Sequence, residues 1–238
     1  MISPDSPEPN VAIGIIIAID GPAASGKSST AYRVAERLGF RHIDSGALYR
    51  AATAAALRLG ADPATWTPES VLVAARPVTL AQGKRAYVPA IDGEHLDREI
   101  RRADVTANVS RVAQMQPVRD WVNALVRDAA ESRDVVVDGR DMGTAVFPDA
   151  ALKVYLVADP WERARRRLIQ SIGRSPTDEE IAAETDRLVK RDAADATQSA
   201  AAKDAVLVDT TYVTQEEQVE RIVALAMSAI QSRRADRP

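Results

Sequence analysis

The 238-residue chain has no cysteine, which excludes disulfide staples, thiolate metal sites, iron–sulfur clusters and a cysteine nucleophile. Its two histidines, His42 and His95, are too few for a three-histidine zinc site. The longest apolar run, Val11–Ile19, covers nine residues, against about 20 for a bilayer crossing. Met1–Asn10 carries no basic residue, so the charged start of a secretory signal is missing. An excess of one charge is missing too, since 31 Lys and Arg face 34 Asp and Glu. That balance excludes a general polycation for nucleic acid or anionic lipid, and leaves anion binding to local clusters. A soluble, cytoplasmic protein without nucleic-acid or membrane partners is expected.

What is present forms a core. Hydrophobic residues make up 46% and charged residues 27%, values of a globular chain rather than a disordered one. Residues 1–10 read as a disordered leader and 232–238 as a disordered tail. Ile13–Ile19 is a β-branched run without alternation, the pattern of a strand covered on both faces in a parallel sheet. A helix is expected from about Ser28 to Leu38, a short strand over Phe40–Ile43, and a helix over Gly46–Leu59 closed by Gly60. From 61 to 102 the texture changes. Pro77–Ala81, Lys84–Pro89 and Ala90–His95 read as small antiparallel strands punctuated by Gly83 and Gly93, an insertion rather than another βα unit.

Helices return at Ala103–Ala113 and Val118–Ala130. Buried-strand patterns follow at Asp134–Asp138, Lys153–Ala158 and Ala205–Asp209, with helices after the last two. This alternation predicts an α/β fold with a parallel sheet. The core then comprises 11–60, 103–160 and 199–231. Residues 161–198 read as a flap of two polar helices. Thr177-Asp-Glu-Glu180 fits a capping box opening the second of them, with Ser175 and Pro176 a rival start. Trp66, Trp121 and Trp161 are expected to pack, and neither histidine receives a role.

Gly21, Pro22, Ala23, Ala24, Ser25, Gly26, Lys27 and Ser28 match G-x-x-x-x-G-K-[ST], directly between a strand and a helix. The glycines let the loop curl so that successive N–H groups converge on phosphate oxygens, aided by the helix N-terminus. Lys27 reaches the β- and γ-phosphates in such a loop, and the Ser28 hydroxyl ligates Mg²⁺. Asp138 ends a strand as a Walker B acid would, a second metal-holding group. Asp20 is either a further carboxylate near the metal or a turn stabiliser.

No guanine-reading N/T-K-x-D segment follows a strand and no LSGGQ-like signature occurs, which leaves a small-molecule kinase. Its second substrate needs its own anion-binding groups. Ser45, Tyr49 and Arg50 lie at or near a helix start after the second strand, and Arg140 and Asp141 follow the third. In a doubly wound sheet these strand ends line the ligand crevice. Arg140 suits a phosphate fork, and Asp141 suits an exocyclic amine of a base. Arg163, Arg166 and Arg167 share a helical face at i, i+3, i+4, and Arg187, Lys190 and Arg191 repeat the theme. Such runs are ordinarily solvated faces; beside a phosphate cradle they are candidates for stabilising a transferring phosphoryl group.

Four segments together resemble bacterial cytidylate kinases of the nucleoside monophosphate kinase family of P-loop NTPases. They are Gly21–Ser29, Asp44-Ser-Gly-Ala-Leu-Tyr-Arg50, Asp138-Gly-Arg-Asp-Met-Gly-Thr-Ala-Val-Phe-Pro-Asp149 and Arg191-Asp-x-x-Asp195. The resemblance, over about residues 12–230, implies a P-loop parallel sheet flanked by helices, a small antiparallel insertion for the monophosphate and a helical lid. It implies Mg²⁺-dependent transfer from ATP to CMP or dCMP, and favours a monomer. Residue by residue it implies donor contacts from Gly21–Ser29 and cytosine recognition by Ser45, Ser110, Arg119 and Asp141. Arg50 and Arg140 then clamp the acceptor phosphate beside Tyr49, and Arg191 and Asp195 make ribose and lid contacts. Charge stabilisation falls to Lys27, Arg140, Arg191, Arg163 and Arg167, and metal binding to Ser28 and Asp138.

One departure stands out. Gln198 occupies a position where the family carries arginine, and the Ala-Pro-Leu stretch that follows there is missing, so a weaker ribose contact is expected. A P-loop kinase for UMP or shikimate, or an NTP-binding regulator with a degenerate lid, remain the alternative readings.

Overall fold

A computed structural model describes residues 14–235. The expected leader lies outside the described residues, as do residues 236–238 of the expected tail. Five strands form one parallel sheet: β1 Ile16–Asp20, β2 Arg41–Asp44, β6 Val135–Gly139, β7 Leu152–Val157 and β8 Val206–Asp209. Their spatial order is β2-β6-β1-β7-β8. Side chains alternate across β1 and β6, and each face of the sheet buries its own half. Ala18, Val135 and Val137 pack with Leu48, Ala51 and Ala55 of α2 (Ser45–Arg58) and Val118, Val122 and Val126 of α5 (Gln116–Ala130). Ile17, Ile19 and Val136 pack with Val34 of α1 (Lys27–Leu38) and Val219 and Ile222 of α8 (Gln215–Ala235). Burial on both faces is what the unbroken apolar runs imply. β8, at one edge, is the most exposed of the five.

Helix α8 continues through Ala235, so residues 232–235, read as tail, are helical instead. The insertion carries a helix that its texture did not announce, α3 (Pro68–Ala75), opened by a capping box between Thr67 and Ser70. Its antiparallel sheet has the order β3-β4-β5, with β3 at Val78–Gln82, β4 at Tyr87–Ile91 and β5 at Glu94–His95. The expected strands Lys84–Pro89 and Ala90–His95 are therefore redrawn. Pairing of Gln82 with Tyr87 and of Val78 with Ile91 selects one strand that straddles both. His95 closes the short β5.

Helix α4 spans Ala103–Ala113. Helices α6 (Pro160–Ile172) and α7 (Asp178–Asp195) form an antiparallel hairpin, and Thr177 rather than Ser175 caps α7. Ala164, Ile181 and Leu188 make a small hairpin core that also takes in Ala23. Trp66 is buried and Trp121 packs against the main core, whereas Trp161 on α6 is 39% exposed, contrary to expectation. Among the described residues no helix is long and apolar enough to cross a membrane.

Candidate active site

The loop between β1 and α1 curls as its glycines allow. Gly21 tolerates no side chain, because a Cβ there would lie 2.5 Å from the Leu156 carbonyl oxygen. Gly26 adopts the left-handed conformation at φ 85°, and so, unusually, does Ala24 at φ 59°. Gly26 caps α1 without a side chain, so no side-chain acceptor competes for the first-turn N–H groups. The Lys27 ammonium donates to the Pro22 carbonyl at 2.8 Å. Burial, reinforced by the Arg140 charge, lowers Lys27 to about 8. Arg140 is thus a close electrostatic neighbour of the phosphate-loop lysine.

Asp138 sits at the end of β6, 1% exposed. Ser28 Oγ donates to its Oδ2 at 2.6 Å, His42 Nε2 lies 2.6 Å from its Oδ1, and Ser45 Oγ donates to its backbone oxygen at 2.8 Å. His42 went unassigned in the sequence, yet it is a buried partner of the site's central carboxylate. Burial opposes its positive charge, but the Asp138 hydrogen bond and charge together outweigh that and raise His42 above its ordinary value. Asp20 accepts from the Met142 and Gly143 N–H groups at 2.9 and 2.8 Å, supporting the π-helical turn Met142–Val146. Of its two expected roles, the turn-stabilising one is realised in these bonds.

The arginines converge only in part. Arg140 Nη2 is 2.9 Å from Asp195 Oδ2, and Arg140 Nη1 is buried without a hydrogen bond among the described residues. Arg191 lies 3.7 Å from the same Asp195 oxygen. Burial and the Arg140 charge lower Arg191 to about 10, with smaller contributions from Arg50 and Arg167. Arg191 therefore feels the positive charge of the other three. Arg50 donates to Thr106 Oγ1 at 3.1 Å, one helical turn before half-buried Ser110 on α4. Arg167 pairs with Glu184 at 3.1 Å. Arg163, 4% exposed, donates to the Ala23 carbonyl at 2.9 Å and to Asp192 at 2.6 Å, which brings it onto the phosphate loop.

Arg166 departs from its neighbours. It donates to the Thr210 and Thr211 carbonyls and anchors the hairpin to the core. Arg187 and Lys190 are exposed, so of that trio only Arg191 is turned inward. Asp192, to which the sequence reading attached no role, also accepts from the Ala23 N–H at 3.2 Å. Its signal was the i, i+3 repeat of acids in Asp192-x-x-Asp195.

Arg119 pairs with Asp141 through Nη2, both side chains only 8% exposed. It also donates to the Ala113 carbonyl at 3.1 Å and to Gln198 Oε1 at 2.9 Å. Burial raises Asp141 against the opposing pull of Arg119. Tyr49 Oη is buried nearby without a partner among the described residues, and burial raises it well above the ordinary phenol value.

The family model for cytidylate kinase matches residues 17–228. The chain belongs to the cytidylate kinase family. The cytidylate kinase of Pelodictyon phaeoclathratiforme is 42% identical over 221 residues, which cover 89% of this chain and 94% of that one. The cytidylate kinase of Streptomyces griseus is 42% identical over 219 residues, covering 89% and 92%. Among solved structures, an uncharacterized protein from Eubacterium ventriosum matches with a TM-score of 0.50 at 12% identity, over 90% of this chain and 99% of that one. At that identity the likeness concerns the fold alone. The cytidylate kinase match includes the phosphate loop, Asp138–Asp141, the α6–α7 hairpin and Gln198.

Proposed function

We propose that the protein transfers the γ-phosphoryl group of ATP to CMP or dCMP, giving ADP and CDP or dCDP. The observation that carries this reading is the juxtaposition of two anion-binding groups. The Gly21–Ser29 loop with Lys27 receives the donor, and Arg140, 3.9 Å from the Asp192 oxygen that accepts from the loop's Ala23 N–H, receives the acceptor phosphate with Arg50. Transfer is in line, by positioning and charge stabilisation. The acceptor is already a phosphate oxyanion, so no general base is needed. Arg163, Arg167 and Arg191 on the α6–α7 lid stabilise charge spread over the equatorial oxygens. The lid also excludes water that would otherwise take the phosphoryl group.

Arg119 and Asp141, with Ser45 and Ser110, read the base. A carboxylate accepts from the cytosine 4-amino group and a guanidinium donates to the neighbouring acceptors. Uracil would set its O4 against the Asp141 carboxylate, acceptor facing acceptor, and such mismatches are costly. Asp195 and Arg191 hold the ribose side, with Tyr49 beside the clamp.

Ser28 Oγ and Asp138 Oδ2, two hard oxygens 2.6 Å apart, fit Mg²⁺, which takes few protein ligands beside phosphates and water. When bound it neutralises charge on the β- and γ-phosphates. His42 holds the Asp138 carboxylate in the orientation that serves this.

A coupled ADP-release assay over CMP, dCMP, UMP, AMP and shikimate tests the proposal. CMP and dCMP should give the highest kcat/KM. A higher value for UMP or shikimate refutes it, and ATP binding without turnover of any acceptor would mark a regulator.

A further inference from the structure

The last turn of the hairpin reaches three parts of the site at once. Helix α7 ends at Asp195, and a 3-10 turn, Ala196–Gln198, continues it. Asp192, Asp195 and Gln198 succeed one another at three-residue spacing and share one side of this helical end. Asp192 meets the phosphate loop and Arg163, Asp195 meets Arg140, and Gln198 meets Arg119.

The third contact differs in kind from the other two. Gln198 is neutral, and Arg119 already has Asp141 as counter-ion. The amide oxygen therefore adds an acceptor beside Asp141 and the Ala113 carbonyl, and its effect falls on the orientation of the guanidinium plane. Arg119 is too buried for water to replace a lost acceptor without cost. Its orientation matters because a planar fork presents its donors in fixed directions.

We propose that Gln198 is a positioning residue for base recognition, holding Arg119 in the plane in which it meets Asp141 and thereby tying base choice to the final turn of the lid. This rests on the reading of Arg119 and Asp141 as the base-recognising pair of a CMP kinase.

Steady-state kinetics of Gln198→Leu and Gln198→Glu beside the unaltered protein test it. Gln198→Leu removes the acceptor at nearly constant volume. KM for CMP should rise about tenfold, and the CMP-to-UMP ratio of kcat/KM should fall by a similar factor. KM for ATP should stay unchanged. Gln198→Glu retains an acceptor for Arg119 and should retain the low KM for CMP. A merely structural residue would instead move KM for CMP and KM for ATP together.

Constants for CMP and UMP unchanged in Gln198→Leu overturn the inference, as does an equal rise in KM for ATP and CMP. A loss in Gln198→Glu as large as that in Gln198→Leu overturns it too. Absence of CMP turnover by the unaltered protein overturns the functional reading, and this inference with it. CMP turnover by the unaltered protein with identical constants in Gln198→Leu removes Gln198 alone from base recognition.

Discussion

His42 Nε2 lies 2.6 Å from Asp138 Oδ1, while Ser28 holds the other oxygen of the same carboxylate. Asp138 is thus gripped from β2 and from α1 in a place where water scarcely reaches it. Removing one partner of a buried pair strands the other, and the loss exceeds what the pair itself contributes. His42→Phe should therefore lower stability by about 3 kcal/mol. The double variant with Asp138→Asn should lose less than the two single losses added together. Urea unfolding of the four proteins gives the coupling, and strict additivity would show that the two side chains are energetically independent.

Asp20 supplies a pH dependence whose sign follows from its surroundings. Burial outweighs its two backbone hydrogen bonds and raises it from 3.8 to about 6. The folded chain thus holds this proton more tightly than the unfolded one. The resulting stabilisation is fully present below 3.8 and is lost as pH rises through 6. Relative to Asp20→Asn, the unaltered protein should lose about 3 kcal/mol across that window. Denaturant unfolding of both proteins on either side of it measures the difference, and a constant difference would contradict the shift.

Arg140 pairs with Asp195 at the end of α7 and lies 3.9 Å from Asp192, which accepts from the phosphate loop. Arg140→Ala should reduce turnover of CMP by more than about a hundredfold. Calorimetric titration should find ATP affinity nearly unchanged. Retained turnover would remove Arg140 from the acceptor clamp.

Gly139 has no room for a side chain. A Cβ there would lie 2.5 Å from Ser45 Oγ and 2.8 Å from Met142 Cγ. Gly139→Ala should cost about 1–3 kcal/mol and, on the proposed base-reading role of Ser45, raise KM for CMP by displacing that side chain. Adding Ser45→Ala removes the nearest clashing atom and should recover part of the stability. A Gly139→Ala protein as stable as the unaltered one would show that the backbone yields there without cost.

The phosphate loop was legible because everything it needs is contiguous: a strand, a curl that glycines permit and a helix start. The buried strands were legible for a similar reason, since β-branched runs such as Val135–Val137 mark coverage on both faces. The capping box at Thr177 is equally local. Strand β4 was misjudged because its limits are set by its partner. Only the pairing of Gln82 with Tyr87 separates turn from strand there.

His42, Arg166 and Gln198 mark the boundary most clearly. Local order told that His42 stands in a short strand, that Arg166 shares a helix face with Arg163 and that Gln198 follows a polar helix. None of this foretells that His42 meets Asp138 across 96 positions, that Arg166 turns to Thr210, or that Gln198 reaches Arg119 across 79. Backbone preference and hydrophobic period act between near neighbours, so the chain's own order suffices for loop, strands and caps. The partner of a long polar side chain depends on which strands lie side by side. That order is set only when both faces of the sheet are packed.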